Sequence, residues 1–246
     1  MSNLVLSSSL LEAYSLCPLK YRLYRLGDPE AGVTRRVDAA RALHAAVKHC
    51  LDECYRLGGP RAYPVERLEE EFRSSFDGGA CADTRQEEEC RREGLRLLAD
   101  YHADHLEEAA EGVRVDQALE GHLGGARLTA RVDRREMRPD GSCVQILYTT
   151  SRQPPTPGAV REDLRIGLLQ LVAEQVEGRP VEVELHALRH RRSIDVTQTP
   201  ASLAVVEQRA TALIASIERT TDFPALRGPH CRWCHAKSAC PKWSRR

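Results

Sequence analysis

Long apolar runs are absent from this sequence of 246 residues, which excludes one large class of proteins. No stretch approaches the roughly 20 apolar residues that a membrane-spanning helix needs. The opening segment also lacks the basic start and the cleavage site of a secretory signal peptide. With 41% hydrophobic and 29% charged residues, the composition is typical of a globular protein. We therefore expect a cytoplasmic protein without a membrane partner.

Two signatures of catalytic sites are missing as well. The glycine-rich loop that holds nucleotide phosphates does not occur, so any ATP-driven motor would be a partner protein. The paired-histidine motif of zinc proteases does not occur either. Positive and negative charges balance at 36 each, but they are segregated along the chain. Acids are concentrated from Glu66 to Glu111, whereas Arg227 to Arg246 contains basic residues and no acid.

Hydrophobic periodicity changes from helical to alternating along the chain. It predicts helices over 8–26, 35–57, 64–76 and 85–111, and then strands over 114–123, 126–137 and 143–150. A helix over 159–178, a strand over 181–188 and a helix over 200–220 follow. In the second strand, alternation predicts one buried face, made of Ala126, Leu128, Ala130 and Val132. This order predicts an α/β core that carries a helical arm.

Nine cysteines are present, and three of them cluster near the end of the sequence as "CRWCHAKSAC". Cys231, Cys234 and Cys240 have a spacing typical of metal ligands, but a four-ligand site needs one more thiolate. Thiolate ligands suit an iron–sulfur cluster, and four of them would also accept zinc. The remaining cysteines outside any pattern are interpreted as ordinary thiols: Cys50, Cys54, Cys81, Cys90 and Cys143.

The opening "SSSLLEAYSLCPLKYRLYRL", together with the cysteine-rich close, resembles the iron–sulfur branch of the PD-(D/E)XK nucleases. That branch includes RecB-like exonucleases associated with CRISPR systems and the nuclease domain of the AddB helicase–nuclease. The resemblance implies that Cys17, Cys231, Cys234 and Cys240 hold a [4Fe–4S] cluster that joins the two chain ends.

Nearly the whole chain takes part in this resemblance. It implies a restriction-endonuclease-like core, a mixed sheet flanked by helices, within one domain over 1–246. In this domain we expect a helical arm at about 60–112, a core at about 113–220 and a cysteine tail over 223–246 that closes on Cys17.

The same resemblance locates the remains of an active site. "ALHAAVKHCLDE" is similar to the family helix whose histidine helps to bind a metal, which falls on His44. "LTARVDRREMRPDG" is similar to the strand that carries an essential carboxylate, which falls on Asp133. On the preceding strand, Glu120 stands where some relatives keep an acid. These assignments imply a divalent Mg²⁺ or Mn²⁺ site.

The sequence departs from the family at the motif that performs the chemistry. Relatives carry an aspartate and, two residues later, a lysine, whereas "ILYTTSR" has Leu147 and Thr149 there. Relatives also place a DNA-holding glutamine and tyrosine on the next helix, where this chain has Arg165 and Leu169. Gln170 lies about 100° further round that helix. His44 and Asp133 alone would make a poor site for Mg²⁺ or Mn²⁺.

We therefore predict a nuclease-fold protein without nuclease activity, acting as a DNA-binding or scaffold subunit of a DNA-processing complex. One alternative is an active Mg²⁺- or Mn²⁺-dependent exonuclease with relocated catalytic groups. No lysine is expected near the cleft in that case, and the available groups are Glu120, Arg131, Arg152 and Asp163. Another alternative is a protein–protein scaffold, in which the acidic arm binds a basic partner and DNA does not take part.

The DNA expected as a partner is single-stranded or a strand end, and a helicase, nuclease or integrase-type subunit is expected as a protein partner. Candidate phosphate contacts are the basic residues Arg165, Arg189, Arg191, Arg192 and Lys242. Trp233 and Trp243 are candidates for stacking on an unpaired base, although Trp233, between two predicted ligands, is better explained as a cover for the cluster.

Overall fold

The computed structural model describes residues 4–26, 38–108, 110, 112–153, 156, 158, 163–234, 236–237 and 239–243. Within these ranges one mixed sheet contains strands β1 (Val5–Ser7), β2 (Arg114–Leu123), β3 (Ala126–Met137), β4 (Cys143–Thr149), β5 (Glu182–Ala187) and β6 (Arg192–Asp195). The longer helices are α1 (Ser8–Leu16), α2 (Pro18–Leu26), α3 (Ala39–Arg56), α4 (Val65–Ser75), α5 (Thr84–Asp104), α6 (Leu164–Glu177) and α7 (Pro200–Arg219). This architecture confirms the predicted α/β class. None of these helices combines the length and apolar character that crossing a membrane would require.

Strand β3 organises the sheet because three other strands pair with it. One edge of β3 pairs antiparallel with β2 over nearly its whole length. The other edge pairs in parallel with β1 at residues 127–129 and antiparallel with β4 at residues 134–137. Residues 130–133 lie between these two partners. Asp133 is therefore the last residue of β3 before the strand joins β4.

A two-residue turn sets the register between β2 and β3. Gly124 and Gly125 both have positive φ, 55° and 82°, a conformation that glycine adopts without a steric penalty. The ladder continues from this turn to the pairs on either side of Asp116 and Asp133. The same register places Asp116 opposite Asp133. Asp116 itself has a φ of 50°, a left-handed conformation that aspartate adopts more readily than most residues.

Helices cover the sheet on both faces. On one face, Leu11 of α1, Leu168 of α6 and Ile214 of α7 belong to a buried cluster with β3. The β3 residues in that cluster are the four predicted from alternation: Ala126, Leu128, Ala130 and Val132. Their burial confirms the pattern and follows from the two-residue period of a strand.

The helical arm forms the second buried cluster. Val47 of α3, Phe72 of α4 and Leu97 of α5 pack together there with Val144 and Ile146 of β4. Strand β4 is thus buried on both faces, since Cys143 belongs to the first cluster. This packing fixes helix α3 against the sheet, close to the point where β4 begins to pair with β3.

Several predicted elements need correction. The helix expected over 8–26 is two helices, because Cys17 adopts an extended conformation before Pro18, as a residue before proline prefers. The helix expected over 85–111 ends at Asp104. Strands β1 and β6 were not predicted, since runs of three and four residues carry too little periodicity. Residues 35–37 and 159–162 of two predicted helices lie outside the described residues.

Replacing Gly94 by alanine is expected to destabilise the arm. A Cβ at this position of α5 would lie 2.0 Å from Cζ of the buried Phe72. Overpacking of this kind costs about 1–3 kcal/mol, more than the roughly 1 kcal/mol that alanine gains over glycine in a helix. Urea unfolding should therefore show a lower free energy of unfolding for Gly94→Ala. The exposed Arg92→Ala on the same helix is the control, and a Gly94→Ala variant as stable as it would contradict the packing.

Candidate functional site

A cavity of about 840 Å³ opens between α3, residues 131 and 133 of β3, the last residues of β4 and the start of α6. Six residues that the sequence placed at family motif positions line it: His44, Asp133, Leu147, Thr149, Arg165 and Leu169. They come from four elements that are far apart along the chain. The fold therefore collects the predicted motif positions around one cleft.

Asp133 lies next to the point where β4 begins to pair with β3, and both of its carboxylate oxygens face a donor. Oδ2 accepts a hydrogen bond from the backbone N–H of Tyr148 at 2.7 Å. Oδ1 lies 3.7 Å from Nζ of Lys48. Burial raises the pKa of Asp133, although the Tyr148 N–H and the charge of Lys48 oppose that effect.

The strand that faces Asp133 carries no carboxylate. The pairing of Arg134 with Ile146 in the β3–β4 ladder continues to Asp133 and Leu147. Leu147 is partly buried and packs against the first cluster. Thr149, two residues on, accepts a hydrogen bond at Oγ1 from the backbone N–H of Ser151 at 3.2 Å. An apolar side chain and a neutral hydroxyl thus occupy the two positions at which the family resemblance led us to expect an acid and a lysine.

His44 reaches the cleft from α3. Its Nδ1 lies 3.5 Å from Oγ1 of Thr150, just after β4. Burial, together with the nearby charge of Lys48, lowers the pKa of His44. The imidazole is therefore neutral at neutral pH, the state in which a histidine nitrogen can ligate a metal.

The expectation that no lysine lies near the motif positions is wrong, because Lys48 lies beside Asp133, although it does not line the cavity itself. Lys48, one helical turn after His44, donates to Asp52 at 2.6 Å and to Asp116 at 2.9 Å, beside Asp133. Burial acts to lower the pKa of Lys48, but the hydrogen bonds to Asp52 and Asp116 and the charge of Asp133 raise it overall. The ammonium therefore stays protonated at neutral pH.

Two sequence signals could have indicated this cluster. His44, Lys48 and Asp52 are spaced by four residues, which places them on one face of a helix. The Gly124–Gly125 pair between two strand patterns predicts a two-residue hairpin, and that register places Asp116 opposite Asp133.

Asp116 differs from Asp52 and Asp133 in the direction of its pKa shift, since burial raises the pKa of those two carboxyl groups. Its pKa is lowered, first by the hydrogen bond from Lys48 and also by Arg131, whose guanidinium donates to both of its oxygens at 2.8 and 2.9 Å.

The other groups considered for relocation have different surroundings. Asp163 is the N-cap of α6 and accepts from Arg165. Glu120 is exposed on β2 and lies 3.5 Å from Arg127. Arg152 is exposed after β4. Of the four candidates, Arg131 and Asp163 line the cavity.

Three of the five candidate phosphate contacts already bind acids of the same chain. Arg165 contacts Asp163 and Glu12, and Arg191 donates to Asp104 at 2.9 Å. Arg189 donates to the Thr150 carbonyl at 2.7 Å and contacts Glu93, so it ties the end of β4 to α5. Arg192 and Lys242 are exposed, as Arg165 and Arg191 also are, but no ion pair involves these two among the described residues.

Gln170 has a structural role in the fold rather than a position in the cleft. It is buried, and its side-chain amide exchanges hydrogen bonds with the backbone of Gln198 at 2.8 and 3.2 Å. Leu169 instead faces the cleft from the next position of α6. The step of about 100° between neighbouring helix positions separates these two surroundings.

The predicted cysteine ligands are partly brought together. Cys17 Sγ accepts from the backbone N–H of Leu226 at 3.4 Å, and Cys231 Sγ lies 3.9 Å from the carbonyl of the same residue. Over the described ranges, however, no three histidine, cysteine, aspartate or glutamate side chains are arranged to hold a metal ion. The nine cysteines, all within those ranges, form no disulfide. The donors thus suit thiolate ligation, and the four-cysteine site stays a prediction.

Trp243 is the one of the two tryptophans whose side chain is described. Trp243 is 49% exposed, and Nζ of Lys237 lies 4.8 Å from the centre of its ring. The side chain of Trp233 lies outside the described residues.

Comparisons with known proteins identify the family to which the chain belongs. The family model of the PD-(D/E)XK nuclease superfamily matches residues 5–241. The chain belongs to the PD-(D/E)XK nuclease superfamily. No curated protein sequence matches it.

Two solved structures are similar to the chain. A proposed exonuclease from Eubacterium rectale is 12% identical, with a TM-score of 0.55 over 92% of this chain and 86% of that one. The protein SSO0001 is also 12% identical, with a TM-score of 0.41 over 82% of this chain and 94% of that one. At such identity the first likeness concerns the fold alone.

The raised pKa of Asp133 predicts a pH-dependent effect of Asp133→Asn. Between the usual aspartate pKa of 3.8 and the raised value, the folded protein binds a proton at Asp133 more readily than the unfolded chain does. Stability is therefore lost as the pH rises through that window. Asparagine avoids this loss and can still accept from Tyr148. Relative to wild type, the variant's free energy of unfolding should thus increase with pH and then level off.

Urea unfolding over the acidic range up to neutral pH measures that difference. Asp140→Asn is a control of opposite sign, because the Ser142 N–H lowers the pKa of the exposed Asp140. If the free energy of unfolding of Asp133→Asn, relative to wild type, decreased as the pH rises, the burial of the Asp133 charge would be contradicted.

Proposed function

We propose that this protein binds DNA through a nuclease fold and does not hydrolyse it, serving as a DNA-binding or scaffold subunit of a DNA-processing complex. The observation that carries this proposal is Leu147 facing Asp133 across β3 and β4. That position needs a second carboxylate for the reaction. The DNA proposed is a single strand or a strand end, and the protein partner is a helicase, nuclease or integrase-type subunit.

Metal-dependent hydrolysis of a phosphodiester depends on hard anionic ligands and on a cation near the scissile phosphate. In this cleft His44 and Asp133 are the retained family groups, and Asp133 already accepts from the backbone of Tyr148. Removing one carboxylate and one cation from a preorganised site costs several orders of magnitude in rate. The cleft therefore supports binding better than cleavage.

A second candidate function, metal-dependent exonuclease activity, is favoured by one specific contact. Lys48 lies 3.7 Å from Asp133, and Asp116 adds a carboxylate from the neighbouring strand. Together they could replace the missing acid and lysine. Against this, all of the contacts found for Lys48 are to carboxylates, and its side chain is only 17% exposed, which leaves little room for a phosphate.

A role as a purely acidic docking surface receives less support. Many acids of the arm pair with an arginine of the same helix, as in Glu69 with Arg73, Glu87 with Arg91, and Asp100 with Arg96. Such i,i+4 pairs neutralise the surface that a basic partner would bind.

Binding and cleavage of labelled DNA separate these functions. We expect wild type to retard single-stranded DNA, with an affinity that falls steeply as salt rises, because phosphate contacts release counterions. With Mn²⁺ present, any strand breakage should be equal in wild type and Asp133→Asn. Arg192→Ala should weaken binding, and Arg179→Ala, on another part of the molecule, is the matched control.

Two results would contradict the proposal. Cleavage that Asp133→Asn abolishes would establish the exonuclease function instead. An absence of DNA binding at low salt would leave the protein–protein scaffold as the remaining reading.

We further propose that Cys17, Cys231, Cys234 and Cys240 hold a [4Fe–4S] cluster, with zinc as the alternative. The contacts of Cys17 and Cys231 with one residue, Leu226, support the meeting of the two chain ends. Bound there, the cluster would supply a cross-link between α1 and the tail rather than a reacting centre.

Anaerobic purification tests the cluster without any activity assay. The protein should carry iron and acid-labile sulfide and absorb visible light, and Cys240→Ser should lose these properties and unfold at a lower temperature. Cys90→Ser, which changes a partly buried cysteine of the arm, should keep them. Stoichiometric zinc without iron would establish the alternative metal, and a protein free of both would refute the four-cysteine site.

A further inference from the structure

Three aspartates from three different elements surround one cation of the chain itself. Asp52 comes from α3, Asp116 from β2 and Asp133 from β3, and they lie 2.6, 2.9 and 3.7 Å from Nζ of Lys48. A protonated amine has three N–H groups, and three carboxylates lie within reach of them. Oxygen ligands of this kind are also what Mg²⁺ and Mn²⁺ prefer. With Lys48 between them, however, the three carboxylates are not among any described group arranged to hold a metal ion.

We infer that the Lys48 ammonium takes the place of a divalent cation in this carboxylate cluster, so that the protein carries its own counter-ion there. The inference rests on the proposed function, since Asp133 belongs both to this cluster and to the lining of the cleft. It explains how the carboxylates stay close together in a site that lacks the family's usual acid and lysine.

The surroundings of Lys48 favour an internal counter-ion over a group that contacts DNA. Its side chain is 17% exposed and the contacts described above direct it at carboxylates. Asp52 is buried, and its Oδ1 has no hydrogen-bond partner among the described residues. An uncompensated carboxylate at such a place is costly, so the position requires a cation.

The backbone supports the same assignment. Asp116, the third residue of β2, has a φ of 50°, an uncommon conformation that costs energy and persists only where the surrounding contacts hold it. Arg131 adds a second cation to Asp116 from the solvent side, with its side chain 63% exposed. Two cations therefore balance most of the charge of three carboxylates, and a divalent ion has no open place among them.

Removal of the ammonium is the test. In Lys48→Met the three carboxylates lose their counter-ion, while the methionine side chain fills about the same space as the lysine stem. We expect this variant to bind Mn²⁺ at least about tenfold more tightly than wild type, a difference of about 1.4 kcal/mol. At an Mn²⁺ concentration about 100 times the variant's dissociation constant, its melting temperature should rise by about 5 °C, and that of wild type should rise by no more than about half as much.

Electron paramagnetic resonance of free Mn²⁺ measures the binding without DNA. Lys242→Met, at an exposed lysine, should behave as wild type, and Asp116→Asn in the Lys48→Met background should lose the gained site. A folded Lys48→Met that binds Mn²⁺ no better than wild type would overturn the inference. Wild type that binds Mn²⁺ through Asp116 would overturn it too, and would favour Lys48 as a relocated catalytic lysine.

A second measurement covers the case in which Lys48→Met does not fold. Reductive methylation of wild type should modify Lys48 at least about tenfold more slowly than Lys242, because a protonated, enclosed amine is a poor nucleophile. Mn²⁺ should leave that rate unchanged, and faster modification of Lys48 with Mn²⁺ would show displacement and refute the inference. Cleavage of DNA by a wild type that binds no Mn²⁺ at Asp116 would instead count against the proposed function alone.

Discussion

The hydrogen bond from the Tyr148 backbone to the Asp133 carboxylate is the contact on which the cleft depends. Strand β3 pairs with β1 up to Thr129 and with β4 only from Arg134 onward. Asp133 lies at the end of the gap between them. Its carboxylate accepts a hydrogen bond from the backbone N–H of Tyr148 on β4, next to the point where β3 and β4 begin to pair. A buried acceptor needs such a donor, so the Asp133 side chain here takes the place of a backbone hydrogen bond between β3 and β4. One oxygen is committed to the fold, and the other faces Lys48.

The next residue serves the opposite face of the same strand. Arg134 is almost fully buried, lies 3.9 Å from the centre of the Tyr55 ring, donates to Tyr101 at 2.9 Å and contacts Glu136 at 2.8 Å. These contacts hold α3 and α5 against the sheet, and α3 carries both His44 and Lys48. Two consecutive residues of β3 thus determine the cleft, one by forming its wall and the other by holding the helix that completes it. A guanidinium on an aromatic ring in a buried setting is a strong and directional tie.

Much of the architecture could be predicted from local patterns. The alternation from Ala126 to Val132 identifies the buried face of β3, since strand side chains point to opposite sides at every step. The break at Cys17 is a local effect of Pro18, but the helical pattern on both sides conceals it. Strands β1 and β6 escaped prediction because they exist only through pairing with β3 and β5. Their few residues carry no period of their own.

The chemistry of the cleft divides in the same way. The sequence by itself determined the α/β class and the family likeness, since motif spacing is a one-dimensional property. It also predicted the loss of an acid and a lysine at Leu147 and Thr149. Only the tertiary structure decided that Lys48 lies beside Asp133, and that Asp52 and Asp116 join them. Those four side chains come from a helix and two strands, and their meeting depends on the hairpin register and on the packing of α3. Charges that are distant along the chain interact only after folding has excluded water and fixed their separation.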